Sequence, residues 1–212
     1  VTKSAKKSIV GDKDSWTMDD FIAVHEANPD SAMQTEMTST NFVDSMIVYN
    51  IAQYVNYETG ECTFNTDSFK KALEYAKTLP TEIDYDTLYQ DDSYWTERES
   101  SYRTGKTILR DEYIADFRAI KQDEEGYFGE PVSMVGVPSD NGGGSMLQIS
   151  TSLAIMAKAK NPDGAWEFIK TLLTDESQEN VGNFPVKLSA LNKMAEKAKE
   201  RPYWDNNGTK EY

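Results

Sequence analysis

The chain has 212 residues, and its 22 Lys plus Arg against 36 Asp plus Glu give a formal charge of −14. A surface that acidic excludes a nucleic-acid binder, which needs cationic groups to displace phosphate counterions, and disfavours docking on an anionic membrane. With 38% hydrophobic and 11% aromatic residues the chain can bury a core, so disorder over most of its length is excluded as well.

Residues 1–14 mix Lys, Ser and Asp and read as a lead-in strand or loop; the absence of an initial Met suggests a mature or trimmed product. The spacing of Thr17 and Asp20 is that of a capping box, which predicts a helix with Phe21, Ile22 and Val24 on its buried side, ending before Asn28-Pro29. Val43, Met46, Ile47, Ile51 and Tyr54 recur at helical spacing over about 41–54. A hairpin is then expected, with Val55 and Tyr57 before the turn Glu58-Thr59-Gly60 and Cys62 and Phe64 after it. An Asn65 or Thr66 cap opens a third helix whose stripe is Phe69, Leu73, Ala76 and Leu79, and Pro80 ends it.

Residues 81–104 are acidic and aromatic with weak periodicity. From Gly105 the pattern changes: 106–109 and 132–138 read as buried strands, and Leu147, Ile149, Thr151, Leu153 and Ile155 alternate as one face of a longer strand. Between these lies Asn141-Gly142-Gly143-Gly144-Ser145, read as a flexible crossing. Pro162 suits the first turn of a helix carrying Ala165, Trp166, Ile169, Leu172 and Leu173, with a short helix from Thr174 and a last one over about 189–198. Strands alternating with helices predict an α/β protein, with a helix-rich first half and a small mixed sheet.

One cysteine, Cys62, leaves no internal disulfide, and one histidine, His25, leaves no partner for the usual metal sites or for a Ser/His or Cys/His hydrolase. No catalytic residue, metal ligand or cofactor is therefore expected. No run approaches the ~20 apolar residues that cross a bilayer.

The order of several motifs carries more than any one of them. Trp16-Thr17-Met18-Asp19-Asp20-Phe21, then Gly60-Glu61-Cys62-Thr63-Phe64-Asn65 leading to Phe69 and Leu73, then Gly105-Lys106, Val135-Gly136-Val137-Pro138, the glycine run, Ala154-Ile155, 161–169 (NPDGAWEFI), the Gln178 region and Phe184-Pro185-Val186 stand in sequence. Together, over about 12–195, they resemble the extracellular solute-binding proteins of family 1, the sugar receptors of ABC importers. The resemblance implies a periplasmic-binding-protein-like (type II) lobe in a two-lobed receptor that closes by a hinge. It implies a C-terminal-lobe region at 12–140, a segment at 141–195 that crosses to the other lobe in relatives, and a polar tail at 196–212. The N-terminal lobe that precedes this region in the family is missing here and the C-terminal extension is cut short, so the chain reads as a fragment.

Function follows from the same resemblance: extracellular capture of a sugar or oligosaccharide by a monomer, without chemical conversion, for delivery to the membrane subunits of an ABC permease, with lipid anchoring at the cell surface in the full-length protein. Sugars are held by flat apolar faces beside carboxylates. Asp111-Glu112-Tyr113 offers that pairing directly after the 106–109 strand, where better-known sugar receptors carry a stacking aromatic; Tyr113 either stacks on ligand or packs with its hydroxyl satisfied locally. Trp95 lines the same cleft or covers an edge of the lobe, and Trp16 and Trp166 are expected in the core. Gly143, Gly144 and Ser145 either approach a ligand through backbone N–H groups or serve as a linker. Paired carboxylates such as Asp91 with Asp92 keep a carbohydrate-active enzyme or accessory carbohydrate-binding domain as the alternative.

Overall fold

A computed structural model describes residues 10–11, 13–90 and 93–200 of the chain. The lead-in at 1–9, Asp91 and Asp92, and the tail from 201, with Trp204, lie outside the described residues. Two compact units form. The first holds the described residues up to Asp111 together with Tyr127–Met146, and the second holds Glu112–Gly126 together with the described residues from Leu147 on.

In the first unit, α1 (Met18–Ala27), α2 (Ser39–Tyr49) and α4 (Asp67–Ala76) supply most of the main core, while α3 (Ile51–Tyr54) buries Tyr54 against Phe64 and Phe69. The capping box at α1 forms: the Thr17 hydroxyl accepts from the Asp20 N–H, and the Asp20 carboxylate accepts from the Thr17 N–H at 2.9 Å. At α2 and α4 the Thr38 and Thr66 hydroxyls cap the helix by accepting from the Asn41 and Phe69 N–H groups. Phe21 stands at the centre of the core, edge-on to Trp16 and Tyr75 and tilted against Phe42. Trp16 is 2% exposed, as its place in the pattern predicts, and its indole N–H donates to the Gly136 carbonyl. The expected helix over 41–54 is interrupted because Asn50 leaves helical geometry; its buried side-chain amide donates to the Pro138 carbonyl at 2.9 Å. His25 is half-buried and hydrogen-bonded through Nδ1 to the Tyr75 hydroxyl at 2.9 Å.

Weak periodicity between 81 and 104 conceals two helices, α5 (Tyr85–Leu88) and α6 (Ser93–Arg103). Only Tyr102 of α6 is buried, against Tyr127, Phe128 and Val132 in a small second core, so α6 carries no apolar stripe for a pattern to reveal.

The second unit contains α7 (Phe117–Lys121), α8 (Pro162–Leu172), α9 (Asp175–Glu179) and α10 (Leu188–Glu200). Asp116 caps α7, which runs on as a wide π-helical turn over Gln122–Phe128 whose last two residues return to the first unit. α10 packs on α9 and α7. Lys187 Nζ and Ser189 Oγ both reach Asp175 Oδ1, at 2.7 and 2.8 Å, which ties the start of α10 to α9.

The expected small mixed sheet is absent, and the α/β class is corrected to a helical fold: among the described residues no strand extends beyond an isolated bridge. Within 106–109 Thr107 and Ile108 are buried, and the segment's backbone bonds go to Ala32, Met33 and Ser101, with one parallel bridge from Ala32 to Thr107. The hairpin reduces to a single antiparallel rung, Val55 with Cys62, closed by Gly60 at φ 74°. The alternating segment from Leu147 to Ile155 has no ladder beside it among the described residues, and Leu147 is 92% exposed. A strand exists only when a neighbour takes its backbone N–H and C=O groups, and alternation specifies a face without specifying that neighbour. Trp166 is corrected likewise: at 47% exposure it belongs to no core.

Candidate functional site

The glycine run is folded back on the chain. Val137 N–H donates to the Gly144 carbonyl at 2.8 Å, and Asn141 Oδ1 accepts from the Gly143 N–H at 3.0 Å. A β-carbon on Gly136 would stand 2.5 Å from the Gly144 carbonyl oxygen, so both glycines are required by the approach of two backbone segments. The reading of this run as a flexible crossing is therefore corrected to a closed turn over 137–144.

A recess of ≈ 120 Å³ in the first unit gathers the aromatic and charged groups. Trp95, Arg98, Glu99 and Tyr102 come from α6; Gln34 and Thr35 come from the loop before α2; Arg110 and Asp111 follow the buried 106–109 segment; and Tyr127 ends the π-helical turn. Trp95 and Arg98 share a face of α6 because they are three residues apart, and the Arg98 guanidinium carbon lies 5.6 Å from the Trp95 ring centre. Arg110 lies over the Tyr127 ring at 4.0 Å, close enough for a cation–π contact. Trp95 is 53% exposed, and Tyr89 stacks on it at 5.4 Å with nearly parallel planes. Behind the recess the Tyr94 hydroxyl donates to Glu36, whose carboxylate stands 3.5 Å from Arg98 Nε. Partial burial, then the hydrogen bond and charge of Glu36, hold the Tyr94 phenol far above its ordinary pKa of 10.0.

Two of the sequence-selected residues, Trp95 and Asp111, meet in this recess. Glu112 and Tyr113 belong to the second unit, where Tyr113 is 54% exposed, and Gly143, Gly144 and Ser145 are not among the residues lining the recess. Sequence reasoning missed Gln34, Thr35, Arg98 and Arg110. For Arg98 a signal existed in its spacing from Trp95; for the loop residues none did, since a loop carries no period.

The chemistry here is a flat ring face bordered by guanidinium donors and carboxylate acceptors, a combination that grips hydroxyl-rich ligands from the edge while covering an apolar face. A second recess, ≈ 270 Å³, lies where α1 and α4 begin, but Asp19, Asp67 and Asp140 dominate it, Asp19 is paired with Lys71 at 2.6 Å, and no aromatic lines it. Among the described residues no three His, Cys, Asp or Glu side chains gather as metal ligands do, and no helix is long and apolar enough to cross a membrane.

A family model described as bacterial extracellular solute-binding protein matches residues 3–206. The chain belongs to that family. A solute-binding protein works outside the cell and holds a ligand for transport, and such proteins are generally not enzymes, which fits a recess that presents binding groups. Comparison with curated proteins and with solved structures finds no match. The features of this solute-binding protein that bear on its ligand are therefore its own residues.

Proposed function

We propose that this solute-binding protein captures a sugar or oligosaccharide and presents it, unconverted, to the membrane subunits of an ABC-type permease, acting as a lipid-anchored protein of the cell surface. One observation carries the reading: the half-exposed Trp95 ring shares a recess with Arg98, Arg110, Glu99 and Asp111. A pyranose has an apolar C–H face for the ring and hydroxyls that accept from guanidinium and donate to carboxylate. The recess is smaller than the ~300 Å³ at which enclosing ligand pockets begin, so it covers one part of a sugar. In this reading Glu112 and the half-exposed Tyr113, which belong to the second unit, are further ligand-contacting residues of that unit.

Incubation with a panel of labelled mono- and oligosaccharides tests the proposal. The expected result is a ligand-dependent rise in melting temperature, corresponding to about 2.7 kcal/mol at a hundredfold excess over Kd, with the sugar recovered intact. Cleavage products would support the enzyme alternative, and the absence of any shift across the panel would overturn carbohydrate binding.

A further inference from the structure

Among the described residues Glu36 is the one non-glycine residue with positive φ, at 57°. A β-carbon disfavours that left-handed region, and a residue stays there only where its surroundings hold it. The groups on the Glu36 side chain all border Trp95. Tyr94 donates its hydroxyl to the carboxylate and lies edge-on to the Trp95 ring. Tyr89, edge-on to Tyr94 at 5.2 Å, stacks on that ring. Arg98, ion-paired with the carboxylate at 3.5 Å from Nε, places its guanidinium over the Trp95 ring, and its Nε–H donates to Thr35 Oγ1 at 3.4 Å. One carboxylate thus tethers the groups that fix how Trp95 and Arg98 face the recess, while Glu36 does not itself line it.

We propose that Glu36 is a positioning residue for ligand recognition, holding Arg98 and, through Tyr89 and Tyr94, the ring of Trp95 in the orientation that meets the ligand. The inference rests on the carbohydrate reading above. Its energetic basis is preorganisation: a guanidinium and a ring already held in place lose less freedom when the ligand arrives.

The test is a double-mutant cycle on this chain, read by titration with whichever sugar of the panel binds. Glu36→Gln keeps an acceptor for Tyr94 but removes the charge facing Arg98, and is expected to weaken binding about tenfold with an unchanged far-UV spectrum and a smaller near-UV aromatic band in the absence of sugar. Arg98→Gln is expected to cost about the same, and the double variant no more than the worse single one, because the first acts through the second. Glu36→Gly, whose backbone accepts the left-handed region freely, is the second variant should Glu36→Gln fail to fold, and it should show the same loss. A wild-type Kd in a folded Glu36 variant, or losses that multiply in the double variant, would overturn the inference and leave the carbohydrate reading standing. A wild-type chain that binds no sugar of the panel would overturn both.

Discussion

Gly144 and Val137 approach so closely that no side chain fits between them: the Val137 amide donates to the Gly144 carbonyl at 2.8 Å, and a β-carbon on Gly144 would collide with the Val137 carbonyl oxygen. Gly144 also sits at φ 90°, where L-residues are strained. Replacement by Ala therefore forces both a backbone change and a displacement of the 137–138 segment, against which Trp16 and Asn50 are hydrogen-bonded. Gly144→Ala should destabilise the first unit by roughly 2–4 kcal/mol, measured by urea denaturation. A loss below half a kilocalorie would mean that the turn relaxes freely.

At the recess, Trp95→Ala should weaken sugar binding by about 1–2 kcal/mol, the scale of a lost aromatic contact with its buried area. Tyr113→Ala should cost more than ~1 kcal/mol if the ring contributes a second stacking face. Isothermal titration of the two variants separates their roles, and an unchanged dissociation constant for Tyr113→Ala would assign that ring to packing alone.

Acid should loosen the second unit. Asp175 is held below its ordinary value of 3.8 by the hydrogen bonds from Lys187 and Ser189 and by the Lys187 charge. Asp116 is raised by partial burial, but the hydrogen bonds from Arg118 and the Ala119 N–H, with the Arg118 charge, outweigh it and leave it lowered. A depressed folded-state value means that the stabilisation is complete above the unfolded value, near pH 4, and is lost as pH falls through the folded one. The melting temperature should be flat from pH 7 to 5 and fall below pH 4. Asp175→Asn should lower the plateau and reduce the slope below pH 4; an unaltered slope would remove Asp175 from the account.

At the alkaline end the sign reverses. Burial pushes the Tyr75 phenol to about 12 from its ordinary 10.0, so the folded chain keeps a proton that the unfolded chain releases. Stability from this group is complete below pH 10 and is lost as pH rises from there toward 12. Absorbance titration at a phenolate wavelength should show late tyrosines, with Tyr75→Phe removing the amplitude near pH 12 and leaving that of the more strongly held Tyr94.

The helices were legible wherever a cap and an apolar stripe coincided. Thr17, Thr66, Asn161 and Thr174 all act as N-caps, and the helices they open lie close to where the pattern places them. α6 was hidden because it buries only Tyr102, and hydrophobic periodicity reports burial before it reports helicity. The sheet was misread for the converse reason, since alternation at Leu147 to Ile155 records a strand-like face with no bonded neighbour among the described residues. At the recess, Trp95 and Asp111 stood out as residue types and Arg98 was readable from its spacing to Trp95, whereas Glu36 and Arg110 act through a contact 58 positions away in the chain or across a ring face, which no local spacing encodes.

The exposed segment from Leu147 to Met156 has a consequence for how this molecule meets others. It carries no Lys, Arg, Asp or Glu, in a chain whose net charge is −14. Two copies that approach elsewhere meet the repulsion of a net-acidic surface; along this uncharged ribbon that repulsion is weakest. Raising the ionic strength, which screens the rest of the surface, therefore favours edge-to-edge association there, and a single lysine introduced at Thr151 would act as its gatekeeper.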